Sequence, residues 1–216
     1  MNQIAGRLLD SERAGIVARG QRLELFTIVY NSLEGLIAVG FGALAGSIAL
    51  VGFGFDSVIE VTSGAVLLWR LRAEMDERRR ERAEASSLRV VGVCFLVLAI
   101  YVGYEAVVSL WQRELPERSV PGIVLAAVSL VVMPLLARAK RKVARDINSA
   151  AMTADAKQTE LCTYLSAILL GGLALNALVG WWWADPVAAL LMTPIIFGEG
   201  YKALRGERCC EQGTCH

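Results

Sequence analysis

Apolar residues in this chain run in long blocks, and the charges fall between the blocks. From Leu25 to Trp69 the chain is apolar for 45 residues, about 68 Å as helix at ~1.5 Å per residue. That length makes two membrane crossings rather than one. No charge lies between Gly35 and Phe55, so the break falls at 42–47, where Gly46 turns the chain and Ser47 caps the next helix. The pattern predicts spans at about 25–45 (TM1), 47–69 (TM2), 88–111 (TM3), 121–137 (TM4), 150–181 (TM5) and 185–204 (TM6). Between TM5 and TM6, Trp181, Trp182 and Trp183 read as an interfacial belt. Asp185-Pro186 reads as the N-cap and first-turn proline of TM6.

Composition agrees with this reading. Of 216 residues, 55% are apolar and 20% charged, and mean hydropathy is +0.49, more apolar surface than a soluble domain of this length needs. A net charge of +1 gives no reason to invoke nucleic acid. Residues 1–22 carry four arginines among short apolar patches and read as an amphipathic surface helix or a loose terminus, with no leader of signal-peptide type. The expected organisation is a cytoplasmic segment at 1–22, a six-helix transmembrane domain at 23–206 and a Cys/His tail at 207–216.

The charge distribution predicts orientation. Lys and Arg number four in 1–22, seven in 70–89, five in 138–145 and three in 202–208. The turns between TM1 and TM2 and between TM5 and TM6 have none. The positive-inside rule then places both termini and both basic connectors in the cytoplasm. The fold class is all-α, a multi-pass protein of the cell's inner (plasma) membrane.

Chemistry concentrates in TM2. Asp56 and Glu60 lie four residues apart within an apolar helix, so both point to one face. Each uncompensated acid at mid-membrane costs about 2.5–3.5 kcal/mol, so the pair is expected to face water, a cation or a proton path. The alternative is a structural hydrogen-bond network within the bundle. TM5 repeats the spacing with Gln158 and Cys162, and because TM2 and TM5 run in opposite directions, Asp56 shares its depth with Cys162 and Glu60 with Gln158. Two carboxylates, an amide oxygen and a thiolate make a plausible divalent-metal site.

The runs Gly46-Ser-Ile-Ala-Leu50, Gly54-Phe-Asp-Ser-Val-Ile-Glu60, Ala154-Asp155 and Trp183-Ala-Asp-Pro-Val-Ala-Ala189 resemble the cation diffusion facilitator family over about 25–205. The resemblance implies a six-span, usually homodimeric exporter of Zn²⁺ or a related divalent ion (Fe, Mn, Cd, Co or Ni), driven by protons. It also implies metal ligands at Asp56 and Glu60 and, in TM5, at Gln158 and Cys162. Two departures from the family pattern stand out. TM5 has neither histidine nor carboxylate at its matched positions, and only about twelve residues follow Leu204, where the family usually carries a cytoplasmic domain.

Other residues qualify as accessories. Lys157 is a candidate internal counter-ion for Asp56, Glu60 or Glu160, and Asp155, Glu34 and Glu160 are candidate members of a proton relay. Glu160 lies about 200° around the helix from the Gln158/Cys162 pair, so it is expected to pair with Lys157 or to reach Glu34 or Glu105. Cys209, Cys210, Cys215 and His216 crowd the last eight residues. They form either a metal-capturing tail or an unstructured end that binds metal adventitiously. No nucleophile–base set or phosphate loop occurs. The expected function is therefore divalent-cation efflux by metal/proton antiport, not an enzyme, with no cofactor. A non-transporting membrane protein that binds or senses metal is the alternative.

Overall fold

Each apolar block becomes one helix. The computed structural model describes residues 2–72, 77–113 and 117–205, and the described residues form α1 (Asn2–Ala45), α2 (Ile48–Arg72), α3 (Glu77–Gln112), α4 (Val120–Asp146), α5 (Ala150–Val179) and α6 (Ala184–Arg205). Among the described residues, five segments are long and apolar enough to cross a membrane: Ala14–Ala45, Ile48–Trp69, Phe95–Gln112, Val120–Asp146 and Asp155–Val179. α6 packs beside them, along α3 and α5. The chain is a polytopic helical membrane protein.

The turns are chemically specified. Gly46 has φ +65, a conformation that costs an L side chain energy and glycine none. Ser47 then accepts from the Leu50 amide at 3.1 Å, an N-cap for α2. Ser119 caps α4 through the Gly122 amide, Ser149 caps α5 through Met152, and Gly180 ends α5 at φ +72.

Three sequence-based boundaries move. α1 is one unbroken helix from Asn2, with no separate surface helix before TM1. α4 continues nine residues past Ala137, through the run expected to be a connector. Nothing in 138–145 stops a helix, since Lys, Arg and Ala are all good helix formers. Asp185, expected to cap its own helix, lies inside the first turn of α6 and caps a different one. Its Oδ1 accepts from the Ser47 hydroxyl at 2.5 Å and its Oδ2 from the Ala49 amide at 3.4 Å, at the start of α2. Beside it the Glu117 amide donates to the Ala45 carbonyl at 2.8 Å. The α1–α2, α3–α4 and α5–α6 connections are thereby joined at one end of the bundle.

α1 packs most closely on α2, α4 on α5 and α3 on α6, while α2 also touches α3, α5 and α6. The exterior is greasy: Leu33, Leu36 and Leu44 on α1, Val97 and Ile100 on α3, and Val131 and Leu135 on α4 are all exposed. The interior holds a core of Phe53, Met133, Leu165, Leu169 and Met192 together with a group of charges. This inverts the soluble pattern and suits a lipid surround. Trp181 and Trp183 stack at 4.8 Å between ring centroids.

Candidate functional site

Four helices each contribute a polar stripe to the interior. On α1 it is Glu24, Thr27, Asn31 and Glu34; on α2, Asp56, Ser57 and Glu60; on α4, Ser129 and Lys140; on α5, Asp155, Thr159, Cys162 and Ser166. Spacings of three, four, seven and eleven keep the α1, α4 and α5 sets each on one helix face, as four keeps Asp56 with Glu60 on α2, while Ser57 points toward α1. Small residues bring the stripes close. A Cβ at Gly64 would lie 3.2 Å from Glu24 Oε2, and one at Gly35 would lie 3.1 Å from the Gly54 carbonyl and 3.5 Å from Ser57 Cβ. That α1–α2 register puts Asn31 level with Glu60.

The stripes form a lane with three parts. At one end the Lys140 ammonium bridges Asp155 Oδ2 at 2.5 Å and Glu24 Oε2 at 3.3 Å. In the middle the Thr159 hydroxyl donates to Glu60 Oε1 at 2.7 Å. The Cys162 thiol lies near enough to Asp56 and Glu60 to interact with both electrostatically. At the other end Glu34 accepts from Ser57 at 2.9 Å and also from Ser129, which is hydrogen-bonded to the Tyr30 hydroxyl at 2.8 Å. None of the five carboxyl groups nor Lys140 is more than 5% exposed. Withdrawing an ion this far from water costs several kcal/mol unless another charge compensates it, and among the described residues the lane holds one ammonium for five acids.

Asp56, Glu60 and Cys162 all lie buried along the α2–α5 seam, Cys162 near Asp56 as their depths lead one to expect. Gln158 does not meet Glu60. The α5 stripe runs Asp155, Thr159, Cys162, so Thr159 takes that place and Gln158 lies half-buried at its edge, its Nε2 without a hydrogen-bond partner. Among the described residues no three His, Cys, Asp or Glu side chains are gathered at metal-ligand distances. Lys157 is exposed, off the stripe; the buried cation is Lys140. Asp155 does join a charged cluster, as Lys140's partner. Glu160 pairs with neither Lys157 nor Glu34 but with Arg141 of α4, at 2.6 Å on the bundle surface. Glu105 is half-buried on α3. Cys209, Cys210, Cys215 and His216 lie outside the described residues.

Sequence reasoning missed Glu24, Lys140 and Thr159. Glu24 and Lys140 stand at the borders of charged segments and were counted with them. The signal that places them inside is phase: Glu24 continues the face of Thr27, Asn31 and Glu34, and Lys140 that of Ser129, Met133 and Ala137.

Six helices closed around a charged interior define a polytopic membrane protein with a polar lane through its core. The family model of the cation efflux transmembrane domain matches residues 25–206, and the chain belongs to that family. It is 26% identical to an uncharacterized transporter (sll1263) of Synechocystis sp. over 78% of this chain and 54% of the relative. It is 25% identical to an uncharacterized transporter (MJ0449) of Methanocaldococcus jannaschii, over 80% and 62%. With the cation-efflux pump FieF of Shewanella oneidensis it shares 29% identity over 57% and 41%. The chain spans about half the length of the curated relatives it matches.

Proposed function

We propose that this chain moves a divalent metal cation across the membrane by metal/proton antiport, through a site between α2 and α5. The observation that carries the reading is the burial of Asp56, Glu60 and Cys162 along the α2–α5 seam, with Glu60 Oε2 buried and without a hydrogen-bond partner. Glu60 supplies an open carboxylate oxygen, Asp56 a second charge and Cys162 a soft ligand. Gln158, one turn from Cys162 and with a buried Nε2 that has no hydrogen-bond partner, is the fourth candidate.

Two carboxylates and a thiol suit Zn²⁺ first, with Cd²⁺, Fe²⁺, Mn²⁺, Co²⁺ and Ni²⁺ as weaker alternatives. A metal requires deprotonated ligands, so its binding expels any protons they hold. Metal release outside followed by reprotonation there gives exchange of metal for protons. The arginine- and lysine-rich ends of α1, α2, α4 and α6 lie opposite the turns at Gly46, Ser119 and Gly180, and the positive-inside rule supports termini in the cytoplasm of a plasma membrane. On this reading the chain works in the bilayer as a homodimer, without a cofactor and not as an enzyme. The Cys/His tail then serves metal capture at low concentration.

Zn²⁺ flux into proteoliposomes tests the reading. Zn²⁺ accumulation that depends on the protein and is accelerated by an opposing proton gradient supports transport. Zn²⁺ bound by the protein without flux identifies a non-transporting metal-binding protein instead.

A further inference from the structure

Beyond the α2–α5 site, the Glu24–Lys140–Asp155 cluster has its own chemistry. We infer that Glu24 and Asp155, with Asn31 and Glu60 on their inner side, form a second divalent-cation subsite in which the Lys140 ammonium stands until cargo displaces it. This rests on the reading that the lane carries a divalent cation.

Charge is the first support. Two carboxyl groups face one ammonium, all of them 4% exposed or less. With both acids ionised the cluster keeps an uncompensated negative charge, and a divalent cation in the ammonium's place neutralises both acids. Unfilled oxygens are the second. Glu24 Oε1, Asp155 Oδ1 and Glu60 Oε2 are buried without a hydrogen-bond partner, and so are both polar atoms of the fully buried Asn31. Among the described residues these atoms are concentrated on the facing stripes of α1, α2 and α5. Carbonyl and carboxylate oxygens in such numbers fit a hard or borderline divalent ion, which takes four or more ligands, better than an ammonium with three donors.

Lysine is the right occupant for displacement. Its ammonium is a point charge on a flexible four-carbon stem, so it leaves by rotamer changes without moving α4. Glu60 lies within electrostatic range of Lys140 and Asp155 on one side and of Cys162 on the other. Asn31 is level with it. An ion at the cluster is therefore one step from Asp56, Glu60 and Cys162. The lane becomes two consecutive cation positions, the first guarded by a built-in competitor.

The test is Zn²⁺ binding to the purified full chain in detergent, by equilibrium dialysis. Asp56→Asn reports on the α2–α5 site alone: retained wild-type binding in that variant removes the first reading, whatever Lys140 does. Lys140→Gln is expected to bind a second Zn²⁺ per chain, Lys140→Arg is not, and Lys140→Gln/Asp155→Asn loses the gain. A structural ion pair gives the reverse pattern, with Arg tolerated and folded Gln no better at binding. Wild-type stoichiometry in a folded Lys140→Gln protein, or a gain that survives Asp155→Asn, overturns the subsite. Should Lys140→Gln fail to fold, Glu24→Gln decides, because it leaves Lys140 paired with Asp155. Its Zn²⁺ loading should slow about tenfold, in the range of electrostatic focusing, at unchanged final occupancy. An unchanged loading rate contradicts the proposal.

Discussion

The Thr159 hydroxyl reaches across the α2–α5 seam to Glu60 Oε1 at 2.7 Å, and its oxygen also lies 3.2 Å from the Asp155 carbonyl of its own helix. One oxygen of Glu60 is thus fixed while the other, Oε2, stays open to a ligand. An outer hydrogen bond of this kind orients a metal-binding carboxylate, and its loss typically costs 10–100-fold in metal affinity. Thr159→Val is expected to weaken Zn²⁺ binding by about that factor without loss of helical content, and Thr159→Ser to restore it. Titration calorimetry in detergent measures both, and wild-type affinity in the valine variant would detach Glu60's orientation from binding.

Cys162 is buried and free, and among the described residues it is the soft donor near Asp56 and Glu60. Replacing it with serine keeps the size and removes the softness. Cys162→Ser should shift preference away from Cd²⁺ and Zn²⁺ toward Mn²⁺ and Fe²⁺, with total transport less affected than the ranking. Competition assays across the four ions check this, and an unchanged ranking would place Cys162 in helix packing.

The pH dependence has a definite sign. Protons and metal compete for the same carboxylate and thiol atoms, so affinity falls as the binding side is acidified. Zn²⁺ added to the detergent-solubilised protein in weak buffer between about pH 6 and 8 should release protons. Binding with no release would mean that an internal cation, Lys140 in this fold, supplies the compensating charge throughout.

At the other end of the bundle, Asp185 ties α6 to the first turn of α2 through Ser47 and Ala49. Asp185→Ala strands a buried hydroxyl and an amide that α2's own ladder does not use. The expected loss is about 1–3 kcal/mol, read as a lower midpoint of thermal unfolding in detergent. Ser47→Ala should lose about 0.5–2 kcal/mol. A midpoint equal to wild type in both variants would show the contact to be incidental.

Much of this bundle was legible in the sequence because a bilayer imposes a simple rule. Apolar length gave the six helices, and the uncharged stretch left only Gly46 and Ser47 to turn the chain. The i, i+4 acids of α2 stood out because acids in such a helix are expensive. Side-chain partners were less legible. Depth arithmetic placed Glu60 opposite Gln158, but depth ignores rotation, and the helical phase of α5 turned Thr159 inward instead. Lys140 was hidden by its neighbours: Arg138, Arg141, Lys142 and Arg145 made the run look solvated. Only one cation of the five falls on the face shared with Ser129 and Met133. Lys157 looked internal because it adjoins Gln158, yet adjacent residues in a helix point about 100° apart.

Zn²⁺ uptake into proteoliposomes by wild type and Glu60→Gln, side by side under an opposing proton gradient, bears most directly on the claim that the α2–α5 seam carries the ion. The substitution preserves the shape of the side chain and its reach to Thr159 while removing the charge beside Cys162. Protein-dependent uptake in the wild type, reduced to the level of empty liposomes in a Glu60→Gln protein that inserts normally, is the result expected here. Equal uptake by the two would place the ion's path elsewhere in the protein.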